Sequence, residues 1–448
     1  MDSEGDVALS TDLYELTMAA AYYANNEESQ ATFELFVRSY PRNRSYLIAA
    51  GLQQALEYLT RIKFTERHIE FLRKHPNFVA VKEGFFEYLR NFKFTGNVWA
   101  MPEGTVFFTN EPILRVSGPI IEAQIVETNL LSIVNFQTLI ASKASRVVES
   151  ARGRGVVEFG ARRAHGPESA LLAARASYIG GCIGTSNVLA GYKFGIPTYG
   201  TMAHSFIMTY DSERDAFDRF ARAFPSNPAF LLDTYDTLEA AKTAVSLGVE
   251  PSLVRLDSGD RYSLSRKVRR ILDDAGMKST KIFVSGDLNE YSIDQLTKRK
   301  APIDFFGVGT ELVTSRDDPA LSGIYKLVAL EREGKMAFKV KTSKGKFTVP
   351  GAKQVHRRIS RGMIQEDTIA LDNEKPPPNT KPLLSEVMRT GQLVTNIPTL
   401  DQSRERARSE LQSLPAEYRS MHGSVKAPVR LSTRLQRLAN SLWKNANR

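Results

Sequence analysis

Two carboxylates follow short apolar segments in near-identical settings, Leu232-Asp233-Thr234-Tyr235-Asp236 and Leu256-Asp257-Ser258-Gly259-Asp260. An aspartate at such a place suits Mg²⁺, which is typically held by one or two carboxylates together with substrate phosphates. Aspartate is also a common helix cap, so each pair has a bland reading beside the chemical one. His204, just past the apolar segment 197–201, can serve as an acid/base or as a nucleophile for phosphoryl transfer, or can be structural. Arg162 and Arg255 supply cations beside other such segments. Gly286, in Ser285-Gly286-Asp287, and Gly307-Val308-Gly309-Thr310 let backbone N–H groups approach a phosphate, or form plain tight turns. Cations, carboxylates, one histidine and glycines together suit a phosphorylated, metal-bound substrate.

The elements that must carry these residues are legible. Seven short apolar segments recur at 156–160, 180–186, 197–201, 229–233, 253–257, 281–286 and 303–309. Each ends on polar or glycine residues, and helix-patterned stretches such as 237–247 and 264–274 separate most of them. Repeated strand–helix units predict a parallel sheet of the α/β class, and about seven can close into a barrel with its function at the strand ends. Those ends carry Arg162, Ser186, His204, Asp233, Arg255, Asp257, Gly286 and Gly309. Gly276 reads as the C-terminal cap of the helix before it.

Before the barrel, Ser10-Thr11-Asp12 caps a helix over 13–23, a strand follows at 32–37, and helices fill 48–89. Short strands at 98–99, 106–108 and 113–116 predict one small antiparallel sheet, and 120–152 reads as a single long helix. After the barrel, Arg332-Glu333-Gly334-Lys335 signals a hairpin. The expected organisation is a first part of an outer α+β domain over residues 1–118, the barrel with the active site over 119–321, and a C-terminal part over 322–448 that completes the outer domain.

The chain has 448 residues and a formal net charge of +10. The last 48 residues hold eight Arg and two Lys against one Asp and three Glu, so six of those ten charges sit in the tail. Leu431, Leu435 and Leu438 fall on one helical face there, which reads as a docking helix with solvated arginines opposite rather than a nucleic-acid site. No apolar run approaches membrane-spanning length, and the acidic opening Met1–Asp6 argues against a signal or transit peptide. Cys182 is the only cysteine and the six His are scattered, so a zinc spacing is absent and a reducing, cytoplasmic setting is expected.

As a set, the motifs Thr11-Asp12-Leu13-Tyr14, Glu158-Phe159-Gly160-Ala161-Arg162-Arg163, Gly184-Thr185-Ser186-Asn187, Gly200-Thr201-Met202-Ala203-His204-Ser205, Arg255-Leu256-Asp257-Ser258-Gly259-Asp260 and Gly307-Val308-Gly309-Thr310 resemble nicotinate phosphoribosyltransferases. Pro350-Gly351-Ala352-Lys353-Gln354 and Leu414-Pro415-Ala416-Glu417-Tyr418-Arg419 extend the resemblance towards the C-terminus. It implies an irregular TIM-like α/β barrel of the type II phosphoribosyltransferases beside a discontinuous α+β domain with an antiparallel sheet. It implies that nicotinate and 5-phosphoribosyl 1-diphosphate give nicotinate mononucleotide and diphosphate, coupled to ATP hydrolysis, in a homodimer with shared active sites. Mg²⁺ accompanies the phosphorylated substrates, and no tightly bound organic cofactor is expected.

By the same resemblance, Phe159 and the partner's Tyr14 cover the two ring faces. Arg255 meets the carboxylate, Arg162 lies near ring and phosphates, and Ser186 stands at a base-selecting position. Gly286, Gly307, Gly309 and Thr310 cradle the 5′-phosphate. Asp257 contacts the ribose, Asp233 lies where metal and diphosphate gather, and His204 is the phosphohistidine. A nicotinamide phosphoribosyltransferase, a quinolinate phosphoribosyltransferase and a barrel that has lost catalysis and serves as a scaffold are the competing readings.

Overall fold

The computed structural model describes residues 6–341 and 348–446, so the first five residues of the acidic opening lie outside it. The chain forms two compact units, one of Leu139–Pro319 and one assembled from Met1–Thr138 and Ala320–Arg448.

In the unit Leu139–Pro319, six parallel strands form one sheet: Gly155–Glu158, Gly184–Thr185, Ala229–Leu231, Leu253–Leu256, Lys281–Val284 and Phe305–Val308. Except for Gly184–Thr185 and Ala229–Leu231, strands consecutive in the chain pair with each other, and the last strand pairs with the first, Phe305 opposite Gly155. This is the connectivity of an α/β barrel. Val156, Val157, Phe230, Leu231, Val254, Leu256, Ile282, Val284, Phe306 and Val308 are all buried. Such continuous apolar runs are what strands covered on both faces require. The helices Thr237–Ser246 and Arg261–Asp274 bury Ala240, Ala241 and Ala244, and Val268 and Leu272. Each fully buried valine or leucine contributes roughly 1.5–3 kcal/mol, and together they fix the strand ends.

The strand expected at 197–201 reduces to a single parallel bridge between Thr185 and Thr198. Pro197 lacks an N–H, and Pro197, Thr198, Tyr199 and Gly200 are exposed, so no buried face holds a longer ladder there. Among the described residues no pairing joins Thr198 to Ala229–Leu231. The ring is open at that seam, which makes the barrel irregular, and His204 belongs to the stretch of chain that crosses it. The segment at 180–186 likewise shrinks to the two-residue strand Gly184–Thr185. Gly276 does cap its helix: at φ +79° its N–H donates to Asp273 O and that of Met277 to Leu272 O at 2.8 Å.

In the other unit, a seven-stranded sheet takes strands from both ends of the chain, in the order Lys335–Phe338, Gly323–Arg332, Gln30–Val37, Pro112–Pro119, Asn97–Ala100, Ser385–Arg389 and Gln392–Leu393. Its neighbours are antiparallel. The hairpin turn puts Glu333 and Gly334 at positive φ, the geometry that matches strand twist. Val106–Phe107 does not join this sheet. Gly104, at φ +88°, turns the chain so that these residues pair with Leu47–Ile48 instead. The expected single helix is broken at Val126 into Ile120–Ile125 and Glu127–Ser150. A second sheet, Thr380–Pro382, Lys353–Ser360, Met363–Leu371 and Val429–Leu431, has no counterpart in the sequence expectations. It also corrects the tail: Leu431 is a strand residue beside Ile369, and the helix Thr433–Ala446 buries Leu435 and Ala439 instead. Arg434 and Arg437 are exposed. No helix among the described residues is long and apolar enough to cross a membrane.

Candidate active site

Arg255 is the centre of a polar network at the strand ends of the barrel. It lies in the strand Leu253–Leu256 with its side chain only 13% exposed. Its Nε donates to Ser285 Oγ at 2.9 Å, and its Nη2 donates to Asp257 Oδ1 at 2.6 Å. The Nη1 contacts, to Thr201 Oγ1 at 3.3 Å and Met202 O at 3.5 Å, are long. A guanidinium carries five donors, so capacity remains for an incoming anion. Its carbon lies 5.7 Å from the centroid of the Phe159 ring.

Asp257, one residue beyond that strand, accepts from both Arg255 and the Ser285 hydroxyl. Burial works to raise its carboxyl. The Ser285 hydroxyl, the Arg255 guanidinium and the charge of His204 outweigh it and hold the pKa below the usual carboxylate value. Asp233 lies two residues past the neighbouring strand, Ala229–Leu231. Its Oδ2 accepts from Asp257 N at 3.2 Å and Ser258 Oγ at 2.5 Å, while its Oδ1 is buried with no hydrogen-bond partner. A buried carboxylate oxygen without a donor is costly, and it fits a cation held between this loop and a substrate phosphate.

The second aspartate of each motif has the bland role. Asp236 Oδ1 accepts from Leu238 N and Glu239 N, both at 2.9 Å, and Asp260 Oδ1 from Tyr262 N at 3.1 Å and Ser263 N at 3.3 Å. Both are helix caps. His204 opens the short helix His204–Met208, and its Nδ1 lies 3.1 Å from Thr234 Oγ1. Thr234 follows Asp233, so the histidine and both strand-end carboxylates belong to one cluster.

Phe159 stacks on Phe283, with centroids 5.1 Å apart and planes 22° apart, which takes up one ring face. Gly307 lies within the strand Phe305–Val308, where an added Cβ would come within 2.7 Å of the Phe283 ring and 2.8 Å of the Phe159 ring. Its lack of a side chain serves the ring stack, not the turn after the strand. Gly309 and Thr310 do occupy that turn, Gly309 preceding the helix Thr310–Val313. Gly286 is at φ +83°, and a Cβ there would meet Asp257 O at 1.8 Å, so the two strand-end loops touch backbone to backbone. Arg261 ties the same loops, donating to Ser285 O at 3.1 Å and Gly286 O at 2.5 Å.

Ser186 donates its N–H to Glu158 O at 2.9 Å and is half-buried. The carboxyl of Glu158 accepts from Thr185 Oγ1 at 2.5 Å and from Gly160 N; burial pushes its pKa up, against those two donors. Arg162 is exposed in the turn Ala161–Arg163. Tyr14 belongs to the helix Leu13–Ala24 of the other unit and is 47% exposed. Burial, then the charges of Glu127, Glu15 and Asp12, raise the pKa of its hydroxyl. Ser285, Thr234, Thr201, Arg261 and Glu158 were not singled out by sequence, although Ser285, Thr234 and Glu158 adjoin residues that were. Among the described residues no group of three or more His, Cys, Asp or Glu could hold a metal unaided.

An interrupted α/β barrel with paired aspartates, an arginine, a histidine and close-approach glycines at its strand ends defines a barrel enzyme of the type II phosphoribosyltransferase class. Residues 9–135 match the nicotinate phosphoribosyltransferase N-terminal domain family, 140–317 the quinolinate phosphoribosyl transferase C-terminal domain family, and 375–439 the nicotinate phosphoribosyltransferase C-terminal domain family. The chain is 46% identical over 436 residues to nicotinate phosphoribosyltransferase pncB2 of Mycobacterium tuberculosis, covering 96% of this chain and 92% of that one. It is 42% identical to nicotinate phosphoribosyltransferase of Bacillus subtilis, over 83% of this chain and 78% of the relative. The crystal structure of human nicotinic acid phosphoribosyltransferase superposes with a TM-score of 0.86 at 30% identity, covering 96% of this chain and 99% of that one. The chain belongs to the nicotinate phosphoribosyltransferase family.

Proposed function

We propose that this protein joins nicotinate to 5-phosphoribosyl 1-diphosphate, the first step of NAD salvage from nicotinate. The observation that carries the proposal is the Arg255–Asp257–Ser285 network beside the Phe159 ring, next to an Asp233 oxygen with no donor. The pyridine nitrogen gives its lone pair to the anomeric carbon as the bond from that carbon to diphosphate breaks, and diphosphate leaves with the bonding electrons. Phe159 lines one side of the ring and Arg255 takes its carboxylate. Asp257, held ionised by its partners, accepts from the ribose hydroxyls and favours the positive charge that develops on the sugar. Gly286, Gly309 and Thr310 receive the 5′-phosphate, and Arg162 supplies a cation for the phosphates. Asp233 and the substrate phosphates would hold Mg²⁺, which neutralises charge on the leaving diphosphate.

ATP hydrolysis is coupled to this reaction through His204 in the same proposal. The histidine takes the γ-phosphoryl group, releasing ADP, and passes it to water. The position of His204 against Thr234, beside Asp233, supports this role. His204→Ala is expected to abolish ATP stimulation of nicotinate mononucleotide formation from labelled nicotinate, while the Kd for nicotinate stays within about twofold, under ~0.5 kcal/mol. Full stimulation in the variant rejects the phosphohistidine, and absence of product from the wild type rejects the activity.

The exposed Tyr14 is assigned to the active site of a partner subunit in a homodimer. Mixing separately inactive Tyr14→Ala and Asp257→Ala chains is then expected to restore activity, up to about one quarter of wild type if subunits exchange at random and one intact site per heterodimer results. Verified heterodimers with no activity would remove the shared site.

A further inference from the structure

The two glycine-bearing loops, Ser285–Asn289 and Gly309–Asp318, are joined by one buried ammonium. Lys143, on the helix Glu127–Ser150, is fully buried. Its Nζ donates to Glu290 Oε2 at 2.7 Å and to Asp317 Oδ1 at 2.9 Å. Glu290 stands four residues after Gly286, at the start of the helix Glu290–Lys298, and is itself fully buried. Asp317 stands eight residues after Gly309 and is 20% exposed at its side chain. Arg146, one turn beyond Lys143, reaches the other oxygen of Glu290, Nε to Oε1 at 3.4 Å. On the opposite side, Arg261 fastens Ser285 and Gly286 to the Asp257 loop.

We propose that Lys143 is a positioning residue for phosphate binding, a clamp that sets the separation of the Gly286 and Gly309 loops so that their N–H groups converge on the 5′-phosphate. The proposal rests on the assignment of those loops to the phosphate made above. A plain packing role is the weaker account. Taking a lysine and two carboxylates out of water costs more than well-packed apolar side chains of the same size, so a buried ion triad is a poor way to add stability. What it adds is direction: an ammonium with two short donor contacts holds two loops at one spacing, whereas apolar side chains can slide. Gly286 at φ +83° and Asp287 at φ +47° lie in the left-handed region, a backbone course that needs outside support to persist.

The test uses two variants, Asp317→Asn, which loosens one loop at its partly exposed partner, and the double Lys143→Met/Asp317→Asn, which removes one charge of each sign and leaves Glu290 with Arg146. Ribose 5-phosphate is the probe, titrated calorimetrically, with thermal midpoints and steady-state constants measured alongside. The double variant is expected to melt near wild type but to bind ribose 5-phosphate at least about tenfold more weakly, equivalent to ~1.4 kcal/mol. KM for phosphoribosyl diphosphate should rise with it, while kcat and KM for nicotinate stay within about threefold, a split that simple destabilisation does not produce. Asp317→Asn should move the same constants in the same direction by a smaller factor. Unchanged ribose 5-phosphate affinity in either folded variant overturns the clamp. A wild-type protein that binds ribose 5-phosphate yet forms no nicotinate mononucleotide would instead reject the activity and leave the clamp standing.

Discussion

Arg255→Met is expected to lower kcat/KM for nicotinate by about 10²–10³-fold, roughly 3–4 kcal/mol of transition-state stabilisation. Methionine keeps much of the alkyl volume, so the loss is electrostatic. Two parts contribute. The first is the charge-assisted contact to the carboxylate of nicotinate, about 1.5–3 kcal/mol. The second is the unpairing of Asp257, which loses a 2.6 Å donor. That second part is discounted, because the Asp257 side chain is 27% exposed and solvent can answer for part of the lost charge. Arg255→Lys should recover only some of the loss, since an ammonium cannot reproduce the fork that reaches Ser285 and Asp257 together. The discriminating measurement is kcat/KM for nicotinamide in the same variants. A neutral amide forfeits only the second part, so its constant should fall by a smaller factor. Equal losses for the two bases would remove Arg255 from base recognition.

How much of this was legible follows from which forces act locally. The strands Gly155–Glu158, Leu253–Leu256, Lys281–Val284 and Phe305–Val308 announce themselves because both faces are buried and the apolar run is continuous. Asp257 directly follows Leu253–Leu256 and Asp233 lies two residues past Ala229–Leu231, so their placement at strand ends was readable. Whether an aspartate caps a helix or faces a substrate was not, because both roles occur within one to five residues past a strand. The structure separates Asp236 and Asp260, which bond backbone N–H groups of their own helices, from Asp233 and Asp257, which bond across strands.

The segment at 197–201 carries strand-like residues, but pairing is a tertiary property, and its exposed backbone makes one bridge only. Gly307 illustrates the same limit. A glycine two residues before a second glycine suggests a phosphate turn, whereas the requirement it meets is the approach of the Phe283 and Phe159 rings. Leu431 was assigned to the tail helix by a spacing that also fits the end of a strand, and its pairing with Met363–Leu371, some sixty residues away in the chain, has no local signature.

The proposed base preference rests on Ser186. The serine follows the strand Gly184–Thr185, and its N–H is anchored on Glu158 O at 2.9 Å, which fixes where its side chain starts. The neighbouring Glu158 carboxyl has its pKa raised by burial, so the surroundings already resist one more negative charge. A hydroxyl there can donate to the carboxylate of nicotinate. A carboxylate there would repel nicotinate and accept from the amide N–H of nicotinamide. The wild type is therefore expected to prefer nicotinate by about 30- to 1000-fold in kcat/KM, the equivalent of ~2–4 kcal/mol for one charge-assisted contact made or left unpaired in a dry site. In Ser186→Asp, kcat/KM for nicotinate should fall and that for nicotinamide should rise, bringing the ratio down by at least about tenfold, ~1.4 kcal/mol. The exchange also separates the two arms of recognition. Ser186→Asp acts on the sign of charge the site accepts, while Arg255 supplies the opposing cation, so the double variant Ser186→Asp/Arg255→Met should lose discrimination altogether instead of inverting it. A wild type that uses nicotinamide as well as nicotinate, or a Ser186→Asp variant with an unchanged ratio, would show that selection of the base lies elsewhere.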